Sequence, residues 1–414
     1  MERSRRRDER ALQRMAGSLK IFGPQLRAVG LVLPLVAFIG LTFVAPLATM
    51  LSRSVYDPVV SDALPETLNL LQDWDGVHIP PEPVFEMLAI ELRTARQERT
   101  LGRVATRINR VHGGLRSVIT RTARRVRDAQ GSSWRDTLIG IHAAWDDVQT
   151  WHAIRYAGER FTARHYLHAL DLERRSDGRI ASRPDEYRVY LPLLWRTLVV
   201  SLSLTGLCLL LGYPVAYLIA HAPSRRANLL LLLVLVPFWT SLLVRTTAWI
   251  VLLQTQGVIN STLVALGLIA DDGRLAMIYN MTGTMVAMTH VLLPFMVLPL
   301  YAVMRTIPRL HMSAAASLGA SAVQAFWRVY WPQTLPGVGA GALLVFILAI
   351  GYYITPALVG GRSGQLISNM IAYHMQSSLN WGLAAAIGGL LLAFVLVLYL
   401  VYDRLVGIER MRLG

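Results

Sequence analysis

The residues able to do chemistry in this chain are few and scattered. Its only lysine, Lys20, sits in AGSLK, which lacks the Gly-x4-Gly-Lys spacing of a phosphate-cradling loop. ATP hydrolysis by that mechanism is therefore excluded. His221, His290, His311 and His374 are dispersed, and no set of His, Cys and carboxylates has metal-ligand spacing. Neither a metal site nor a catalytic residue is predicted. The single cysteine, Cys208, stands in an apolar run and reads as a small packing residue. What remains is Arg245, an arginine deep in an apolar run, with Trp239, Trp249, Tyr352, Tyr353 and Pro356 in comparable runs. Intramembrane charge is functional by default, and each aromatic face can hold a cation with roughly 0.5–2 kcal/mol. These six residues are the candidate site within the apolar runs, and would line a pathway if those runs enclose one. The same aromatics also suit packing and interfacial anchoring, and Arg245 is only two turns from Gln254, within reach of an interface.

The elements that must position them are membrane helices. Of 414 residues, 54% are hydrophobic and 16% charged, against roughly 25% charged in soluble domains. Six windows reach the approximately 20 apolar residues a bilayer requires: 28–51, 192–221, 228–253, 279–304, 337–359 and 381–402. None contains Asp, Glu or Lys, and their only arginines are Arg196 and Arg245. An all-α polytopic membrane protein follows. The first window is too long for a signal h-region and predicts a retained span.

The net charge of +15 is not a nucleic-acid footprint, because its placement follows a membrane topology. Basic residues cluster at 1–27, 225–226, 305–328 and 404–412, all on one side of a six-span thread. The opposite short loops, near 254–278 and 360–380, hold only Arg274 and Arg362. Positive-inside asymmetry puts both termini in the cytoplasm. The cytoplasmic N-terminal stretch is 1–27, the five-helix transmembrane core is 191–404, and 405–414 is the cytoplasmic C-terminal tail.

Between the first two spans lies a long segment, 52–190, predicted to be extracytoplasmic. It carries 21 basic and 19 acidic residues. Leu88, Leu92, Ala95 and then Leu101, Val104, Ile108, Val111 recur at helical spacing, with Ser132 or Ser133 as N-cap of a further helix. A self-contained helical lobe with a solvated charged surface is expected; a docking surface for an extracytoplasmic partner is the alternative.

One stretch is out of character for a membrane protein. SAAASLGASAVQAFWRVYWPQTLPG, residues 313–337, is semi-polar and helix-prone between two spans. Met312, Ala316, Gly319, Val323, Phe326 and Tyr330 step at helical spacing. Gly319 costs about 1 kcal/mol inside a helix, so it marks a corner or a close backbone contact. Pro332 and Pro336 are expected to end the element and start the fifth span.

Ser313-Ala314-Ala315, then Gly319, then Val329-x-Trp331-Pro332 resembles the Glu-Ala-Ala loop of ABC importer permeases, with Ser313 where that signature has Glu. PFWTSLLVRTTAWIVLLQTQGVINSTLVALGLI and FWRVYWPQTLPGVGAGALLVFILAIGYYITPALVGG extend the likeness to the first permease of spermidine/putrescine-type importers, over roughly 28–56 and 160–410. The resemblance implies the six-helix MetI-like permease fold. It makes 306–335 a cytoplasmic coupling loop that docks on a separate ATPase, which would account for the missing Walker lysine. It further implies no cofactor on this chain, since ATP and Mg are used by the partner. The implied partners are a second permease, two ATPase subunits and a periplasmic solute-binding protein, with no nucleic acid, in a bacterial inner membrane. Polyamines are the implied solute, with opines, phosphonates, other amines and ferric iron as alternatives. Many relatives carry an Asp where this chain has Tyr352. A secondary transporter, which would use membrane carboxylates for its coupling ion, and a membrane-anchored receptor built on 52–190 are the competing classes.

Overall fold

The computed structural model describes residues 29–126, 133–174 and 179–406. The basic terminal segments 1–27 and 407–414 and the N-cap candidate Ser132 lie outside the described residues. Helix α1 (Val29–Ser52) is followed by six helices of the insert: α2 (Pro65–Leu70), α3 (Glu82–Gln97), α4 (Leu101–Asn109), α5 (Leu115–Arg125), α6 (Trp134–Ile141) and α7 (Val148–Ala157). Then come α8 (Arg164–Ala169) and a small antiparallel hairpin, β1 (Leu172–Arg174) with β2 (Ile180–Ser182), Leu172 opposite Ser182.

The membrane region is α9 (Tyr190–His221), α10 (Ser224–Trp239), α11 (Leu242–Leu253), α12 (Val258–Ala265), α13 (Met281–Thr306), α14 (Arg309–Ser317), α15 (Ala322–Gly351), α16 (Ile354–Val359), α17 (Ile367–Gln376) and α18 (Trp381–Val406). Among the described residues six helical stretches are long and apolar enough to cross a bilayer, as the windows predict.

Two windows differ in detail. The third, 228–253, is not one helix: α10 stops at Trp239, Thr240 and Ser241 are extended, and the spanning stretch is Leu242–Ala265. Pro237 lacks the N–H that would continue the ladder, and the Thr240 hydroxyl donates to the Pro237 carbonyl at 2.9 Å. The fifth window, 337–359, is displaced the other way. Pro332 and Pro336 do not start a span; they lie inside a helix already running from Ala322. A π-turn over Phe326–Tyr330 immediately precedes Pro332. The wider turn accommodates the proline, whose ring would clash with the carbonyl four residues back in a regular helix. At the far end Tyr352 is extended. Pro356 has no N–H for the Tyr352 carbonyl, so the helix breaks there and restarts as α16.

The membrane core is α9, α13 and α15 packed on one another, with Leu204, Cys208, Met288, Leu292, Met296, Leu300, Val345 and Ala349 buried between them. Small residues set the spacing. A Cβ at Gly341 would meet the Met296 sulfur at 2.7 Å, and one at Gly337 would meet Val303 at 3.0 Å. Close helix approach at small residues is how membrane helices gain packing energy without a hydrophobic drive between them.

The insert has a separate core: Phe85, Leu88, Leu92, Val104, Ile108, Trp145 and Trp151 are buried together, on the faces the spacing predicted. Ser133 caps α6, accepting from the Asp136 N–H at 3.2 Å. Carboxylates fasten further helix starts. Glu91 accepts from the N–H groups of Glu66 and Thr67 at the head of α2, at 2.8 and 3.1 Å. Asp171 is fully buried and accepts from Val189, Tyr190 and Leu191 at 3.1, 3.2 and 2.7 Å, capping the second span. The insert joins the membrane region through α8, which packs on α18; a Cβ at Gly382 would strike the His165 ring.

Candidate functional site

The 313–332 stretch is two helices meeting at a corner. Helix α14 ends in a Schellman motif: the Gly319 N–H donates to Ala316 O and the Ala320 N–H to Ala315 O, both at 3.0 Å. Gly319 sits at φ +85°, where only glycine is unstrained. Among the described residues no atom lies within 4 Å of where its Cβ would be. Of the two explanations for Gly319, the corner holds, and a close approach by the chain's own second helix does not. The helical stripe from Met312 to Tyr330 is accordingly interrupted. Ser321 restarts it with a capping box, its Oγ accepting from the Gln324 N–H at 3.3 Å and the Gln324 side chain accepting from the Ser321 N–H at 3.1 Å.

One face of this element is clamped to the end of α9. Phe326 stacks on Tyr330 at 5.9 Å, Tyr330 meets Tyr217 at 5.4 Å, and Trp331 meets Tyr213 at 5.0 Å. Arg309 donates to the His221 carbonyl at 3.1 Å, satisfying an end-of-helix acceptor. The other face is open. Leu318 is 89% and Leu310 74% exposed, and Val323 and Trp327 are exposed beside them. Ser313 and Ala314 are exposed, Ala315 is buried, Val329 is half-buried and Pro332 is exposed. The Ser313 hydroxyl reaches only the Arg309 carbonyl, at 3.5 Å.

The pathway candidates are partly brought together. Trp249 on α11 donates from its indole to His290 Nδ1 on α13 at 3.2 Å. Arg245, one turn earlier, lies within electrostatic reach of both His290 and Tyr352. Its Nε is buried without a partner. Thr246 faces Thr355 of α16 at 3.5 Å, and Pro356 is buried beside it. The break at Tyr352–Tyr353 frees carbonyls that α17 satisfies: Asn369 donates to Tyr353 O at 2.9 Å, and Ser368 donates to Ile350 O. Trp239 does not join this group. It stands 73% exposed at the end of α10, and the Tyr353 ring is exposed as well.

Sequence reasoning missed His290, Thr246, Thr355, Ser368 and Asn369. The threonines and Asn369 were visible as polar residues in or beside apolar runs; His290 had no signal beyond its type. Among the described residues no group of His, Cys, Asp and Glu is placed to hold a metal.

Residues 188–407 match the family model described as "Binding-protein-dependent transport system inner membrane component". The spermidine/putrescine transport system permease protein PotB of Escherichia coli (strain K12) is 36% identical over 216 residues, covering 52% of this chain and 78% of that protein. The inner membrane ABC transporter permease protein YdcU of the same organism is 31% identical over 226 residues, covering 52% and 71%. Among solved structures, a bacterial alginate ABC transporter in complex with its alginate pentasaccharide-bound periplasmic protein aligns at 18% identity and a TM-score of 0.40, over 54% of this chain and 79% of that one. The matched region begins at α9 and leaves α1 and the insert outside it. The chain belongs to the family of inner-membrane components of binding-protein-dependent transport systems, as a multi-pass permease subunit of an ABC importer rather than an enzyme.

Proposed function

We propose that this permease works in polyamine uptake, with the 309–331 element as the surface on which a separate ATPase docks. On this reading both termini and the corner at Gly319 are cytoplasmic, and the insert is extracytoplasmic. A second permease and two ATPase subunits complete the membrane complex, a periplasmic protein delivers the solute, and ATP with Mg stays on the ATPases. One observation supports the docking role above others: α14 and the start of α15 bury one face against α9 yet leave Leu310, Leu318, Val323 and Trp327 uncovered. An apolar patch held rigidly outside the packed helices is what a protein partner covers. Leu318→Asp tests it, because Leu318 contributes little to the packing of this chain. The ATPase should be lost from the purified complex while the permease still reaches the membrane. Equal recovery of the ATPase with wild type and variant would refute the docking role.

The polyamine assignment rests on the relatives, and Arg245 favours a second reading. A half-buried arginine whose Nε is buried without a partner among the described residues, and no acidic residue in the six apolar windows, suits a solute carrying a carboxylate or phosphonate, such as an opine or a phosphonate. Trp249 and Tyr352 would instead serve a polycation through their ring faces. Uptake of labelled spermidine by cells expressing the complete system decides between them. Competition by putrescine supports polyamines; no spermidine uptake, with uptake of an opine or phosphonate, supports the second reading.

A further inference from the structure

A cavity of about 550 Å³ lies where the insert meets the ends of α1 and α18. Arg53, Arg103, Arg107 and Arg110 line it, and among the described residues the sole carboxylate in its lining is Asp57. Arg107 is 5% exposed and ion-pairs with Asp57, and its Nη2 donates to His165 Nε2 at 3.0 Å. Because a guanidinium only donates, that imidazole nitrogen is the acceptor and His165 is neutral there. Burial, and then the charges of Arg107 and Arg164, hold His165 down to about 3. Asp57 also serves Arg164, at 3.7 Å. The Nε of Arg107 is buried with no hydrogen-bond partner among the described residues. Arg110 reaches the far wall, donating to Asn380 Oδ1 at 2.9 Å and Ser378 O at 3.1 Å. The side chains of Arg53 and Arg103 make no hydrogen bond or ion pair among the described residues; the Arg53 guanidinium only covers the Trp381 ring at 5.8 Å.

One carboxylate among four lining arginines leaves excess positive charge in a partly enclosed space. Such charge is costly unless an anion enters, and burial together with the Arg164 and Arg110 charges already disfavours the Arg107 cation. The position says which anion. Arg53 follows the last residue of α1 and Trp381 opens α18, so the mouth sits at a membrane interface, where tryptophan rings gather. The outer surface of α1 is unburied throughout, leaving apolar wall for acyl chains beside the cavity. We propose that this is a phosphate-binding site that takes the phosphodiester headgroup of an anionic glycerophospholipid and ties the insert to the first and last spans.

The test uses the full-length permease, delipidated in detergent and titrated with phosphatidylglycerol or phosphatidylcholine under native mass spectrometry. Wild type should retain phosphatidylglycerol at least tenfold more tightly than phosphatidylcholine. The double variant Arg53→Gln/Arg103→Gln, at two exposed positions outside the ion pair, should lose most of that preference with an unchanged melting temperature. Arg116→Gln, an exposed arginine outside the cavity, should keep it. No preference in wild type, or equal loss with Arg116→Gln, would overturn the site. Inorganic phosphate at millimolar concentration is the last arm. If it stabilises wild type as much as the lipid does, and the double variant not at all, the lipid assignment is overturned in favour of a free anion.

Discussion

Replacing Gly319 with alanine isolates what the corner contributes. A residue with a Cβ at φ +85° costs about 1–2 kcal/mol over glycine. Against this stand the two hydrogen bonds of the Schellman motif, Gly319 N to Ala316 O and Ala320 N to Ala315 O, each contributing about 0.5–1.5 kcal/mol net. The sums are comparable, roughly 1–3 kcal/mol for the closed corner and 1–2 against it. Gly319→Ala should therefore leave the corner near balance, with the docking-competent shape populated two- to tenfold less. The global fold, stabilised by about 5–15 kcal/mol, should survive. The assay is titration of the purified permease with the proposed ATPase subunit, beside thermal unfolding of the permease alone. Apparent affinity should fall two- to tenfold with a small change in melting temperature. Gly319→Asn should restore most of it, since asparagine tolerates the left-handed region. Wild-type affinity in the alanine variant would refute the strain reasoning. If asparagine is as poor as alanine, the position needs empty space against a partner rather than a left-handed backbone.

Arg245→Leu should cut uptake severely while the complex still assembles, measured as transport against co-purified subunits; normal uptake would return Arg245 to an interfacial role. Replacing residues 65–155 with a short flexible linker should leave a membrane-inserted permease, because the insert buries its own core; degradation of the protein would show that the spans depend on it. Asp171→Ala strips three N–H groups at the head of α9 of their acceptor and should lower stability by about 1–3 kcal/mol, read as a fall in melting temperature with no change in the affinity of the ATPase. A reporter active only outside the cytoplasm should work when fused near residue 120 and fail near residue 320; the opposite pattern would invert the proposed topology.

The spans were legible because they are local runs of apolar residues, and Gly319 marked a possible corner, but the break into two helices was not legible, since the stripe from Met312 to Tyr330 keeps helical spacing across it. The insert was legible as helices for the same reason, through Leu88, Leu92, Val104 and Ile108. What was not legible depends on residues distant in sequence. Trp249 meets His290 across 41 positions and Arg107 meets His165 across 58, and neither pair has a spacing to read. Proline misled in both directions. Pro332 and Pro336 looked like boundaries and are carried within a helix by the π-turn, whereas Pro237 and Pro356 sat in unbroken apolar windows and lie at helix breaks. Whether a proline ends a membrane helix depends on who satisfies the freed carbonyl, and Ser368 and Asn369, which do so for Ile350 and Tyr353, are known only from the fold.

The continuity of α15 bears on how docking would reach the pathway. Its 30 residues span about 45 Å from the restart after Gly319 to the break at Tyr352, with no interruption except the π-turn. Gly337 and Gly341 hold it against α13 too closely for a side chain, and Phe326, Tyr330 and Trp331 hold its start against α9. A push at the corner would therefore move α9, α13 and α15 as one body, because none of these contacts has slack. The first place with slack is beyond Gly351, where the helix has ended and α16 meets α11 through the weak Thr246–Thr355 contact. Arg245 is the residue before Thr246, and Trp249 is one turn on. On the proposed reading, ATPase closure would thus be felt as a change in the distance between Tyr352 and Arg245, whose Nε has no hydrogen-bond partner among the described residues.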